Sequence, residues 1–361
     1  MGTSLLARGW FINSMNEHEV TIDQEIADTS HGKPHVVLIG AGASFAALPN
    51  GDRHGRPVPL LRDVADTLKL VDDFPEDLKD LAVENFEEAY SKLFERGAKK
   101  ELKLINQKVH DYFADLELPD EPNLYDTLNL SLRDKDAIFT FNWDPFLIQS
   151  RIRLARLGIT TSFPKLFFLH GNVTVGFCVK DKTSGLIGRR CSQCNQFFKP
   201  SQLLYPVGKK DYQSDPFIKN EWDAAQHYLK GCFMFTIFGY SAPDTDKEAV
   251  ELLKGGWGDV NHREMEQTEV INRPGADHEA LAKTWQPFMH THHFDIFESY
   301  YDSWLANHPR RSIEAYWNQY WEAKFVSNNK VQKQFTDFKE MAAWYKPLLD
   351  AERKNKAKQD G

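Results

Sequence analysis

Cysteine is scarce in this chain, four residues in 361, which is too few for a disulfide scaffold and points to a reducing compartment. No apolar run approaches the roughly 18 residues that a membrane-spanning helix needs. The start, Met1-Gly2-Thr3-Ser4-Leu5-Leu6-Ala7-Arg8, has too short an apolar stretch for a secretion signal, so the cytoplasm is the expected location and no membrane contact is expected. Positive charge is not in excess either. Lys and Arg number 44 against 52 Asp and Glu, a net charge of −8, which excludes a global attraction to nucleic acid or to an anionic membrane surface. Internal repeats are absent. What is present is a 41% hydrophobic composition, enough to bury a full core in one large domain or two smaller ones.

Three motifs sit at the ends of apolar runs. His35-Val36-Val37-Leu38-Ile39 leads into Gly40-Ala41-Gly42-Ala43-Ser44, a strand feeding a glycine turn of the kind that admits a pyrophosphate. Phe139-Thr140-Phe141 ends in Asn142-Trp143-Asp144, and Phe168-Leu169 ends in His170-Gly171. Polar residues at the carboxyl ends of strands in an open α/β sheet would build a ligand crevice. Taken singly, each has a plainer explanation: a tight strand-to-helix connection, an Asx turn, a buried histidine satisfied by backbone. Phe45 stands where a dehydrogenase fingerprint has its third glycine, and the chain then runs into turn chemistry at Pro49-Asn50-Gly51 and Arg56-Pro57-Val58-Pro59. Both departures argue against hydride transfer.

The order Gly40-Ala41-Gly42-Ala43-Ser44, Gly55-Arg56-Pro57, Thr140-x-Asn142-x-Asp144 and Leu169-His170-Gly171 resembles the sirtuin fold. Phe238-Gly239-Tyr240-Ser241 and Val270-Ile271-Asn272 take the places of two later family motifs, so the resemblance covers about residues 33–275. In detail, Gly239 to Asp246 is closer to the divergent sirtuin-like NAD hydrolases of bacterial antiphage defence systems. The fold this implies is α/β, a Rossmann-like parallel sheet. Along the chain the reading is an N-terminal arm over 1–33, a catalytic domain over 34–295 and a C-terminal helical extension with a disordered tail over 296–361. Within the catalytic domain, a helical insertion is expected at about 60–118, where Leu78, Leu81, Phe86, Tyr90, Leu93 and Phe94 recur at helical spacing, and a cysteine module at about 175–200. Aromatic residues from Phe297 to Trp344 recur at helical spacings, as expected of helices that pack on the core and on a partner chain.

The chemistry that the resemblance implies is cleavage of the nicotinamide–ribose bond of NAD. Asn142 and His170 match the family's catalytic pair. An amide can hold the ribose and a water together, and an imidazole can take a proton from a ribose hydroxyl or from the water. Asp144 matches the position that binds the nicotinamide carboxamide, although Asp-Pro also starts helices. Gly40, Ala41, Gly42 and Ser44 would meet the diphosphate; Gly239, Ser241, Asp244, Asp246 and Asn272 would lie toward the adenosine half, with Asp244 alternatively a helix cap. Phe141 replaces the family's usual Gln, and Tyr205-Pro206-Val207-Gly208-Lys209-Lys210 replaces the segment that pairs with an acyl-lysine peptide. Water is therefore the expected acceptor, giving ADP-ribose and nicotinamide.

Cys178 and the Cys191-Ser192-Gln193-Cys194 pair offer three thiols for a structural zinc. A fourth ligand would have to be Cys232, poorly placed in a core strand, or a histidine. The run His290-Thr291-His292-His293 lacks a matching acidic or thiol set and is expected to be exposed imidazoles. Unregulated NAD loss would kill a host, so a homo-oligomer or a companion sensor, an ATPase or nucleotide-sensing subunit, is expected to gate an effector of this kind. The alternatives are an NAD-dependent protein deacylase or ADP-ribosyltransferase, and, from another class, a non-catalytic NAD or ADP-ribose sensing subunit.

Overall fold

The computed structural model describes residues 18–207, 210–263 and 265–359, with the side chains of Asp244 and Gln359 excepted. Most of the expected N-terminal arm, residues 1–17, lies outside the described residues. Six short apolar segments form one parallel sheet: β1 (His35–Ile39), β2 (Ala137–Thr140), β3 (Lys165–Phe168), β4 (Met234–Phe238), β5 (Gln267–Ile271) and β6 (Phe294–Phe297). Their order across the sheet is β3-β2-β1-β4-β5-β6, every pair parallel. β1, β2, β4 and β5 are buried along their whole length; β1, β2 and β4 accordingly read as near-continuous apolar runs, whereas β5 buries Gln267, Thr268 and Glu269 on the hydrogen-bond partners Asp295, Phe288 O and Thr236. The connections run outward from β1 to β3, then return to β4 on the other side of β1 and run outward again. That reversal is the topological switch point of a doubly wound sheet, outside which ligands bind.

Helices cover both faces. α1 (Ala41–Ala47) leaves β1 directly. Five helices between Val64 and Ser131 make the insertion and its return, ending in α2 (Leu124–Ser131). Of the apolar positions read at helical spacing, Leu78, Phe86, Tyr90 and Leu93 are buried, whereas Phe94 faces outward. α3 (Phe146–Arg156) follows β2, and α4 (Pro216–Gly231) precedes β4. Asp215 caps α4 by accepting the Phe217 and Ile218 amides, and Pro216 opens its first turn, where a missing N–H costs nothing. α5 (Lys247–Trp257) packs on α4.

The C-terminal region corrects two expectations. Residues from Lys354 onward are not a disordered tail as far as Gln359: α7 runs from Phe338 to Gln359, after α6 (Ser312–Tyr320). A buried cluster holds it, in which Glu352 accepts from Arg310 Nε and Nη2 (2.7 and 2.6 Å) and from Arg311 Nη1 (2.7 Å), while Arg310 Nη1 also serves the Leu130 and Leu132 carbonyls. Of the aromatic stripe, Tyr300, Tyr316 and Phe335 are buried in this chain's own core, as expected of helices that pack on it, while Tyr320, Trp321 and Phe325 are exposed. His293 is also not exposed: its Nδ1 meets the Tyr316 hydroxyl at 2.6 Å. β6 was missed as a strand because Phe294-Asp295-Ile296-Phe297 is short and alternating, as suits the edge of a sheet.

Candidate functional site

The residues singled out by sequence converge at the carboxyl ends of β1, β2, β3 and β4. Two glycine turns meet at the switch point. Gly40 N–H donates to Phe238 O (3.0 Å) and Gly42 N–H to Gly239 O (2.9 Å). A Cβ on Gly40 would come within 2.7 Å of Gly239 O, and one on Gly42 within 2.8 Å of Gly239 Cα. Gly239 has φ 64°, and a Cβ there would stand 2.3 Å from Ala43 N. Glycine is thus required at these positions by the close approach of two backbones. The amides of Gly40 and Gly42 are already donated to protein carbonyls in this arrangement.

Ser44, at 1% exposure, is the hub of a buried array. Its hydroxyl donates to Asp144 Oδ2 (2.6 Å) and accepts from Asn142 Nδ2 (2.8 Å) and from the Tyr125 hydroxyl (2.5 Å). A serine oxygen has one proton and two lone pairs, so its capacity is used up. Asn142 Nδ2 also donates to Gly40 O (2.9 Å), and a carbonyl can only accept, which fixes the amide nitrogen on that side. Asn142 Oδ1 accepts from no described residue and is not sealed from solvent. Asp144 is buried; Oδ1 accepts the Phe146 amide (3.2 Å) at the start of α3, and burial, opposed by its hydrogen bonds from Ser44 and that amide, lifts its carboxyl to about 6. Tyr125 was not anticipated from the sequence, where it reads as one more apolar position of a helix.

His170 lies beside this array. The parallel register pairs Thr140 with Phe168, so Asn142 and His170 each follow their strand by two residues on neighbouring strands. The imidazole is 6% exposed, packs edge-on against Phe141 (centroids 4.5 Å apart), and its Nε2 faces the Tyr212 hydroxyl at 3.1 Å. Asp246 Oδ1 stands 3.9 Å from the same nitrogen and is paired with the buried Lys210 ammonium at 2.5 Å. Burial drives the imidazole down to about 4; Asp246 works against that and Lys210 with it. The ring is therefore neutral near pH 7, and the Asp246 contact is not an ion pair there. Asp246 missed recognition as a partner of the histidine because they are far apart in sequence. Its Oδ2 also accepts from Tyr240 (3.0 Å), whose ring stacks on Phe141 at 4.3 Å.

The remaining positions lie on the β4 and β5 side. Ser241 is exposed just past β4, and Asn272 is half-buried one residue past β5, its N–H on Phe297 O (3.0 Å) and its Oδ1 taking the Arg273 amide (2.8 Å). Asp244 opens a short 3-10 turn ahead of α5.

The cysteine module is a three-stranded antiparallel sheet of Val175–Cys178, Thr183–Leu186 and Lys199–Pro200. Its turns bring together Cys178, Cys191, Cys194 and a residue sequence reasoning missed, Asp181, their ligand atoms all within 4.8 Å of one another. Cys178 Sγ lies 3.5 Å from Cys194 Sγ, and Asp181 Oδ2 lies 3.3 Å from Cys178 Sγ and 3.1 Å from Cys191 Sγ. Zinc with bonds of ~2.3 Å to sulfur needs tetrahedral edges of ~3.8 Å, so the four donors could hold it with small adjustments. The Asp181 carboxylate, accepting from the Cys194 thiol, pushes that thiol up to about 12, and a divalent cation would displace the proton it holds. Cys232 is excluded as a ligand: it is buried next to β4 with its thiol on Met234 O.

No protein-family model matches the chain, and no curated protein matches it. Among solved structures it is similar to one described for the mechanism and regulation of Sir2 enzymes (11% identity, 81% of this chain and 96% of that one, TM-score 0.39). It is also similar to a Sir2 homologue in complex with NAD (14%, 82% and 94%, 0.36) and to a Sir2 bound to acetylated peptide (15%, 87% and 98%, 0.33). These likenesses are distant, and the α/β assignment stands on the chain's own strand order.

Proposed function

We propose that the chain is a sirtuin-like NAD-cleaving enzyme that transfers the ADP-ribosyl group to water, releasing nicotinamide and ADP-ribose. The observation that carries this reading is the placement of an amide acceptor, Asn142 Oδ1, and a neutral imidazole, His170, on adjacent strand ends beside the switch point of a 3-2-1-4-5-6 sheet. The switch point of an open parallel sheet is where dinucleotides bind. As the glycosidic bond breaks, the nicotinamide leaves with the bonding electrons and the ribose gains oxocarbenium character. Asn142 Oδ1 would hold the attacking water or a ribose hydroxyl, and His170 would take the proton released as water bonds to the anomeric carbon.

Water is favoured over an acyl-lysine as acceptor because residues 201–207 form no strand that a peptide could extend. Tyr205 instead stacks on Tyr90 at 5.5 Å and packs on Trp143 at 5.2 Å, tying this segment to the helical insertion. Gating by a partner is supported by the closure of the site: the Tyr212 hydroxyl occupies the position on His170 that a substrate hydroxyl would take, under a buried Lys210–Asp246 pair. We take the chain to be an effector that depletes NAD in bacterial antiphage defence, a reading that rests on the likeness of its Gly239–Asp246 segment to that class.

The test is turnover of NAD in ¹⁸O-labelled water, with and without an acetyl-lysine peptide. Hydrolysis predicts ADP-ribose carrying one label irrespective of peptide. O-acetyl-ADP-ribose formed only with peptide would replace this reading by deacylation; binding of NAD without nicotinamide release under any activating condition would replace it by a sensing role.

A further inference from the structure

Asn142 rests on two anchors, Gly40 O and Ser44 Oγ, and the second is itself held from two sides. With Asp144 ionised, the only proton of Ser44 goes to that carboxylate, leaving two lone pairs, one filled by Asn142 Nδ2 and the other by Tyr125. Every polar hydrogen of the array is then used, and the one group left without a partner is Asn142 Oδ1. Tyr125 is well placed to hold such an array still. It is fully buried, and its helix α2 begins with a capping box formed by Asn123 and Asp126. Asp126 is paired with Arg153 of α3 through Nε at 2.8 Å, and Asn129 Nδ2 returns to the Tyr125 carbonyl at 3.1 Å. The hydroxyl is therefore delivered to Ser44 from a braced element.

We infer that Tyr125 is a positioning residue for the bond cleavage proposed above: through Ser44 it locks the Asn142 amide so that only Oδ1 faces the crevice, as an acceptor for a ribose hydroxyl or the attacking water. This rests on the NAD-cleaving reading for its catalytic consequence, while the array itself is a property of the fold. An amide so held can accept but not donate, which limits what it recognises to hydroxyl or water O–H groups. Loss of the Tyr125 hydroxyl would leave one Ser44 lone pair empty in a buried place and free the serine to turn, so the amide would keep a single anchor.

The experiment compares the full chain with Tyr125→Phe and with Tyr112→Phe, in which the same atom is removed from a tyrosine whose hydroxyl serves Pro57 O. Thermal midpoints, kcat and KM for NAD are measured together, along with hydrogen exchange of the Asn142 side-chain amide, whose NMR signals are identified by their disappearance in Asn142→Ala. For Tyr125→Phe the expected result is a kcat lower by about tenfold, equivalent to about 1.4 kcal/mol in the barrier, with KM near that of the parent and a thermal midpoint lowered by a few degrees, as one unsatisfied buried lone pair implies. Tyr112→Phe should match the parent in kcat. In the parent both Asn142 amide protons should exchange slowly, and Tyr125→Phe should speed them. Parental kcat in Tyr125→Phe, an equal loss in Tyr112→Phe, or rapid amide exchange in the parent would each overturn the inference. Slow exchange in a parent chain that leaves NAD intact would retain the array and reject the catalytic reading instead.

Discussion

Alanine at Gly239 should be among the most damaging small substitutions in this chain, and the structure says why. The residue has φ 64°, in the left-handed region, where a Cβ costs about 1–2 kcal/mol. That Cβ would also stand 2.3 Å from Ala43 N, 2.5 Å from Gly42 C and 2.7 Å from Gly42 Cα. All three are backbone atoms at the start of α1, so no side chain can swing away. Overpacking of this kind adds about 1–3 kcal/mol, for a total loss of about 2–5 kcal/mol by simple addition of the two penalties. Gly158 separates these contributions, since it lies just past the end of α3 with φ 68° and a Cβ there would meet nothing within 4 Å, so Gly158→Ala should lose only the conformational part, about 1–2 kcal/mol. Gly231→Ala, with open space and no positive φ, should be neutral or stabilising. Urea unfolding with m-values checked for constancy measures all three. Equal losses for Gly239→Ala and Gly158→Ala would mean that the two turns do not touch at the switch point.

Glu352→Ala leaves Arg310 and Arg311 buried without their carboxylate, and urea unfolding should show a loss of about 3–5 kcal/mol; a loss under about 1 kcal/mol would contradict that anchoring. The acid response should be unusually flat. His31, His35 and His170 are lowered from 6.5 to about 4, 3 and 4, so the stability linked to them is present above pH 6.5 and lost as pH falls. Glu221 and Glu269 are raised from 4.5 to about 7 and Asp144 from 3.8 to about 6, so the stability linked to these is present in acid and lost as pH rises. The two sets oppose one another near pH 5–6, and Glu269→Gln should uncover a loss of about 1 kcal/mol per pH unit on acidification that the parent lacks. An unchanged pH profile for unfolding would reject this offset. At the cysteine module, elemental analysis should find zinc in the parent at one ion per chain and none in Asp181→Ala with Cys194→Ser; metal retained by that double variant would exclude the site.

β1, β2 and β4 were legible in the sequence because buried parallel strands leave continuous apolar runs, and they end in the glycine, Asn and Gly239 motifs, while the His motif follows the edge strand β3. β6 escaped because an edge strand alternates, and the order of Asp295 between Phe294 and Ile296 carries no strong signal. Asn142 and His170 could be singled out from their places after strands. Their partners could not: Tyr125, Tyr212 and Asp246 reach the site from elements far away in sequence, and only the fold supplies those contacts. Asp181 was hidden similarly, since a single carboxylate in a hairpin turn gives no ligand spacing to count. The glycine motif by itself points to a ligand's approach, whereas the contact that requires these glycines in the fold is with each other.

Asn142 and His170 are proposed to cleave NAD together. Purified chain, alone and with the products of neighbouring genes, is incubated with NAD, and nicotinamide, ADP-ribose and cyclic ADP-ribose are separated by chromatography for the parent, Asn142→Ala and His170→Ala, each first shown to be folded. The parent should yield nicotinamide and ADP-ribose in equal amounts, and the variants neither. Intact NAD in every combination, or parental turnover by both folded variants, would contradict that proposal.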